Sequence, residues 1–204
     1  MYQVAKGKRL VLASASPRRL EMLGRLGLHF DMAPAHVDES ILPGEDAGAA
    51  AQRLAGVKAA AVSAAMPGAA ILAADTLVTT DGRILGKPKD DAQAKEMLQF
   101  LSGREHRVVT GFCLRADGRV DTGLAETKVR FRRLATAEIE AYVASGEPRD
   151  KAGAYAVQGS GAALVEAVSG SYTNVVGLPL AACVVLLMKR GVIEPIPTAF
   201  SGLH

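Results

Sequence analysis

Two short runs in this chain, Arg9–Ser14 and Ala69–Ala74, are apolar at nearly every position rather than at every second one. A strand that is apolar on both faces must be covered on both faces, as a central strand of a helix-flanked sheet is. Each run is followed or preceded by a helix signal. Ser16-Pro17 reads as an N-cap with proline at the first helical position, Leu20, Leu23 and Leu26 supply an apolar face, and Gly27 is the stop. Asp46 to about Met66 is alanine-rich and free of proline, with Leu54, Val57 and Val62 as its larger apolar residues, and predicts a long helix. Leu28–Ala33 is a further strand candidate ending at Pro34.

Hairpin signals follow the second run. Thr76–Thr80 leads into Asp81-Gly82, and Arg104–Arg133 alternates around Asp117-Gly118, so a long β-hairpin is expected there. Asp90 caps a helix carrying Ala94, Met97, Leu98 and Leu101, ended by Gly103. Thr136–Ser145 is a short helix closed by Gly146, Ala162–Val168 the expected last strand, and Leu180–Arg190 the last helix, capped by Gly191. Hairpins and crossover helices together predict an α/β fold with a mixed sheet.

Composition narrows what such a fold can do. With 49% apolar and 22% charged residues the chain is not disordered, and 204 residues suit a single domain over 1–204. Aromatics are 4% and Trp is absent, so the core must be aliphatic and base-stacking platforms for single strands are not expected. The net charge of +3 is spread without blocks. Cys113 and Cys183 are too few for a disulfide framework or a closed zinc site, and both suit packing roles. The longest nearly apolar run, Val175–Met188, falls short of the roughly 18 to 20 residues of a membrane span. The apolar stretch near the N-terminus stops at Ser16-Pro17-Arg18-Arg19, unlike a secretion signal. The expected location is the cytoplasm.

Candidate chemistry lies at the ends of these elements. Ser14 to Arg19 combines a helix start with two guanidinium groups, a place where phosphate oxygens bind, although a capped basic turn has the same pattern. Asp75 is expected at the end of a strand, as a metal ligand, a general base or a turn aspartate. Lys87, within Gly86-Lys87-Pro88, is expected in a return strand beside it, where it would meet an anion, or else as a surface lysine. Asp38 and Glu39 offer adjacent oxygen donors for a hard cation, or a solvated acidic turn. Asp150–Gly159, Glu166 and Gly170–Asn174 are dense in polar and small residues. Gly159-Ser160-Gly161 lacks the Gly-Lys-Ser/Thr ending of a P-loop. His29, His36 and His106 have no partners at metal or triad spacing and are expected to be structural or exposed.

Seven stretches taken together are more specific: ASASPRR (13–19), VDE (37–39), ADT (74–76), GKP (86–88), LSGREHRVVTG (101–111), DKAGAYAVQG (150–159) and GSYTNVVGLPL (170–180). In this order they resemble the Maf family of nucleoside triphosphate pyrophosphatases, from about Leu10 to Met188. Ala74 stands where glycine is common and Ala156-Val157 where Gly-Ile is usual; neither change removes a functional group.

The resemblance implies an inosine triphosphatase-like fold, an elongated mixed sheet flanked by helices with a cleft between two lobes. It implies Asp75 as catalytic base, Lys87 as the phosphate-side lysine, and Arg18 and Arg19 as the triphosphate-binding pair. Ser14 matches a serine of the same loop, Lys58 a lysine of the long helix, and Glu39, with Asp75, a metal-site carboxylate for Mg²⁺ or Mn²⁺. One branch of the family resembles dTTP/UTP pyrophosphatases; another prefers 7-methyl-GTP and tends to carry an aromatic before the Arg pair, a Gln after the Asp and a Glu in the late loop. Pro17, Thr76 and Gln158 side with the pyrimidine branch. The implied role is a house-cleaning hydrolase that takes a nucleoside triphosphate to the monophosphate and pyrophosphate. The competing readings are a pyrophosphatase for 7-methyl-GTP or deaminated purine triphosphates, and a non-catalytic nucleotide-binding regulator of septum formation. The partner expected is the triphosphate, with a homodimer open to the chain and no stable nucleic-acid or membrane partner.

Overall fold

The computed structural model describes residues 1–196. The chain runs β1 (Tyr2–Val4), β2 (Leu10–Leu12), α1 (Pro17–Gly24), β3 (Asp31–Met32), α2 (Ala47–Ala65), β4 (Ala70–Thr80), β5 (Arg83–Leu85), α3 (Asp91–Leu101), β6 (Glu105–Ala116) and β7 (Arg119–Phe131). It continues through α4 (Thr136–Ala144), three 3-10 turns between Glu147 and Leu164, β8 (Val165–Ser169), α5 (Tyr172–Val176), α6 (Leu180–Lys189) and β9 (Ile193–Pro195). Seven strands form one mixed sheet in the order β3-β2-β4-β6-β7-β8, with β5 paired to β4; β1 and β9 form a separate antiparallel pair. β2 runs parallel to both β3 and β4, and the pairs from β4 to β8 are antiparallel. The α/β class and mixed sheet follow the expectation. Among the described residues no helix is long and apolar enough to cross a membrane.

Strand parity sorts the core into layers. Leu10, Leu12, Leu72, Ala74 and Leu114 pack on one face with Met22 and Leu23 of α1 and Cys183 and Leu187 of α6. Val11, Ile71, Ala73 and Cys113 pack on the other with Ala55, Ala59 and Val62 of α2. A further cluster joins Val78, Val108 and Val129 to α3 and α4 through Leu98, Leu101, Ile139 and Val143, and includes the aromatics Phe131, Tyr142 and Tyr155. The alanine-rich sequence of α2 is what lets it lie close on the sheet: Ala47, Ala50, Ala51, Ala55 and Ala59 are all buried. Opposite it, Gly111 of β6 has no room for a side chain, because a Cβ there would overlap the Ala51 carbonyl and the Gln52 nitrogen.

Several expectations need correction. The strand that begins at Ala70 does not end before Asp75; the β-branched run after it carries β4 on to Thr80, so Asp75 is mid-strand, opposite Gly111 of β6. Lys87 is not in the return strand, since β5 stops at Leu85. Ser16 occupies the N-cap of α1 without a side-chain cap bond; Ser14 Oγ instead accepts from the Ser16 nitrogen at 3.1 Å. The strand expected over 28–33 is only Asp31–Met32, and the one expected over 162–168 begins at Val165 after a 3-10 turn. β1 and β9 carried no local signal. They stabilise each other across almost the whole chain.

Candidate active site

A cavity of about 530 Å³ opens beside β4, a size in the usual range of small-molecule sites. Ser14, Arg18, Arg19, Glu39 and Lys58 line it, as do Asp75, Thr76, Lys87 and Gln158. The side chains that the family resemblance marks as catalytic, binding or metal-ligating therefore meet at one place, whereas Asp38, the other carboxylate offered for a cation, does not line the cavity. Parity explains how one strand serves two clusters. Asp75 shares its face with Ala73 and Leu77, toward α2, whereas Thr76 points the other way, toward α1 and Gly177.

On the α2 face, Lys58 and Asp75 are both buried, 7% and 6% exposed, and hydrogen-bonded to each other through Asp75 Oδ1. Lys58 also stands 3.1 Å from the exposed carboxylate of Glu39. One buried ammonium thus gathers two carboxylates from distant parts of the chain, and no hydrogen bond from the described residues reaches Asp75 Oδ2. Asp38 takes no part. Its Oδ1 accepts from the Ser40 nitrogen at 2.9 Å and the Ser40 hydroxyl at 2.5 Å, which holds the carboxyl below the usual aspartate range.

On the α1 face, Arg19 is fully engaged with protein. Its Nε donates to Gly177 O at 2.7 Å, Nη1 to Ser14 Oγ at 3.3 Å and Nη2 to Thr76 Oγ1 at 3.1 Å. Thr76 Oγ1 also lies 2.9 Å from Thr110 Oγ1. Burial pushes the guanidinium below the ordinary arginine range, against the opposing pull of Asp75. Arg18 reaches across the cavity to Asp150 at 3.2 Å, and Lys151 meets the same carboxylate at 2.5 Å. Asp150 and Lys151 open the polar stretch 150–159 and its DKAGAYAVQG motif, but nothing local marks Asp150 as the partner of both Arg18 and Lys151. Lys87 is exposed and makes no salt bridge among the described residues.

The cavity floor includes Tyr155, whose hydroxyl lies 2.8 Å from His106 Nε2, with Phe131 edge-on to both rings. His106 is 1% exposed, and burial lowers its pKa to about 4. The sign of its effect on stability is fixed by that direction. The unfolded chain protonates near the ordinary value of 6.5 and the folded chain only near 4. Stability is therefore complete above about pH 6.5 and is lost as pH falls between these values, by about 2 kcal/mol at pH 5. Denaturant unfolding at pH 7 and pH 5 checks this: His106→Gln should remove most of the difference.

Among the described residues no three His, Cys, Asp or Glu side chains form a metal cluster. Asp75 and Glu39 nonetheless fit a Mg²⁺ or Mn²⁺ ion, because such ions are commonly held by one or two carboxylates together with substrate phosphates and water.

Comparison with known proteins places this arrangement in a family. The family described as Maf-like protein matches residues 9–190. A dTTP/UTP pyrophosphatase of Anaeromyxobacter dehalogenans (strain 2CP-C) is 53% identical over 188 residues, covering 90% of this chain and 94% of that protein. A dTTP/UTP pyrophosphatase of Moorella thermoacetica is 52% identical over 186 residues, covering 90% and 96%. Among solved structures, the Staphylococcus aureus Ham1 protein aligns with 61% of this chain and 72% of its own at 17% identity and a TM-score of 0.44, too remote to add to the topology described above. With nearly its whole length matched, and with half its residues shared with such relatives, the chain belongs to the Maf-like protein family.

Proposed function

We propose that this chain hydrolyses dTTP and UTP to the nucleoside monophosphate and pyrophosphate, and that it does so in the cytoplasm, which two free buried thiols suit. The observation that carries the proposal is the meeting, in one cavity, of a lysine-held carboxylate, Asp75, with the cations Arg18 and Lys87. The dTTP/UTP pyrophosphatases named above, half-identical to this chain, support the choice of substrate.

In this reading the oxygen of water bonds to the α-phosphorus, the bond from that phosphorus to the bridging α–β oxygen breaks, and pyrophosphate leaves with that oxygen. Asp75 Oδ2 accepts the proton of the attacking water, while Lys58 on Oδ1 holds the carboxylate in place. Lys87 and Arg18 meet the charge that grows on the leaving pyrophosphate. Arg18 is released from Asp150 to do so, and the phosphates take the place of that carboxylate. Arg19, bonded to Ser14, Thr76 and Gly177, fixes the phosphate loop and adds its positive charge. Glu39 and Asp75 are the residues that would hold a divalent cation, which when bound supplies further neutralisation of the phosphates.

Gln158 faces the base. Its neutral amide offers a donor and an acceptor for the O4 and N3–H edge that uracil and thymine share, and the N4 amino group of cytosine reverses that pattern. A wrong base would leave buried groups unpaired, which discriminates strongly. Purified protein with Mg²⁺ or Mn²⁺ and a panel of dTTP, UTP, CTP, ITP and 7-methyl-GTP tests this, scoring pyrophosphate against orthophosphate. The expected result is pyrophosphate, with dTTP and UTP best and CTP poor. A clear preference for either purine would overturn the assignment of substrate, and the absence of pyrophosphate that of the reaction.

A further inference from the structure

The glycine-rich stretch Gly159-Ser160-Gly161, which lacks the ending of a phosphate-binding loop, does hold an anion, and the anion is part of the protein. The Ser160 nitrogen donates to Glu147 Oε2 at 3.0 Å and the Gly161 nitrogen to Oε1 at 3.0 Å. The Tyr142 hydroxyl donates to the same Oε1 at 2.9 Å and accepts from the Ala156 nitrogen at 3.2 Å. The backbone fits closely around this carboxylate. Gly159 has a φ of +68°, and a Cβ there would come within 2.9 Å of Oε2, while one at Gly161 would overlap Ala156 O and the Tyr142 phenol. Burial alone would raise the Glu147 carboxyl, but these donors and Lys151 outweigh it and hold it below the ordinary glutamate range.

The segment 156–161 is thereby tied at both ends, through Tyr142 at Ala156 and directly at Ser160 and Gly161. Between the ties stands Gln158, which lines the cavity and makes no cap bond to the turn that follows it. The position of this side chain in the cavity depends on where its backbone is held, so a shifted frame would misplace the amide against the base edge.

We propose that Glu147 and Tyr142 are positioning residues for base selection, holding the loop of Gln158 so that its amide accepts a uracil or thymine edge and rejects that of cytosine. The proposal rests on the assignment of Gln158 to the base made above. The substitutions Glu147→Gln, Tyr142→Phe and Gln158→Ala are compared by kcat and KM for UTP and CTP, with thermal melting to confirm that each is folded. For Glu147→Gln, the ratio of kcat/KM for UTP over CTP should fall about 10-fold, the scale of a lost hydrogen bond to a charged group. Its kcat for UTP should stay within about 3-fold, because the contact is remote from the α-phosphorus. Tyr142→Phe removes a single oxygen and should lower the same ratio by a smaller factor, which keeps the test decisive if Glu147→Gln does not fold. Two results would overturn the proposal while leaving Gln158 in its role. In one, the ratio is unchanged in both positioning variants but collapses in Gln158→Ala. In the other, kcat/KM for the two nucleotides falls equally. An unchanged ratio in Gln158→Ala would remove the base-reading role of Gln158, and this proposal with it.

Discussion

Asp75→Asn should keep the fold and lose at least ~100-fold in turnover of UTP, the lower end of what a positioned general base contributes. Asparagine preserves the shape of the side chain, so the packing of β4 against α2 is retained. What changes is charge. The amide is a poor proton acceptor and a poor ligand for a hard cation, so both roles open to this carboxylate are lost together. Lys58 loses one of its two carboxylates but keeps Glu39 at 3.1 Å, which limits the damage to a buried ammonium. A fall in melting temperature of a few degrees is expected, since 1 kcal/mol corresponds to roughly 2–4 °C in a chain of this length. Steady-state pyrophosphate release alongside a melting curve separates the two effects. Near-parental turnover in a folded Asn variant would remove Asp75 from the chemistry.

Gly111→Ala should be strongly damaging although the residue lies outside the cavity lining. The added methyl meets backbone of α2 rather than a side chain that can rotate away, so the helix itself must move. Overpacking of this kind costs about 1–3 kcal/mol. Activity should fall with it, by about 10-fold or more, because Lys58 rides on α2 and Asp75 is the cross-strand partner of Gly111, and small displacements of catalytic groups are costly. Gly56→Ala is the matched control. It lies in the same helix with nothing within 4 Å of the added carbon. There the same change should stabilise by about 0.5–1 kcal/mol through helix propensity, with turnover unaltered. If the two variants melt alike, the close approach of α2 to β6 does not constrain the site.

The local architecture was legible because its causes are local. Asp46 caps α2 by accepting from the Gly48 nitrogen at 2.8 Å, and Asp90 caps α3 through the Gln93 nitrogen at 2.7 Å; both caps are contacts between near neighbours in sequence. The hairpin turns stand at Asp81 and Asp117, each in the left-handed region with φ of 49° and 50°. The doubly apolar runs became strands covered on both faces, for the reason their pattern predicted. The site residues were recognisable as seven motifs, and they do line one cavity.

The sequence by itself therefore determined the type of most elements and the fold class, which follow from periodicity and caps, and, through its motifs, most of the charged side chains at the cavity. Only the tertiary structure decided what each side chain is bonded to. It carried β4 through Asp75, set Lys58 between Asp75 and Glu39, turned the groups of Arg19 onto Ser14, Thr76 and Gly177, and gave Arg18 a partner 132 residues away in Asp150. It also filled the glycine-rich loop with Glu147, a residue with no motif to mark it. The difference is physical: a cap or a turn is satisfied within a few residues, whereas a buried ion takes whichever partner the packed layers bring within about 3 Å.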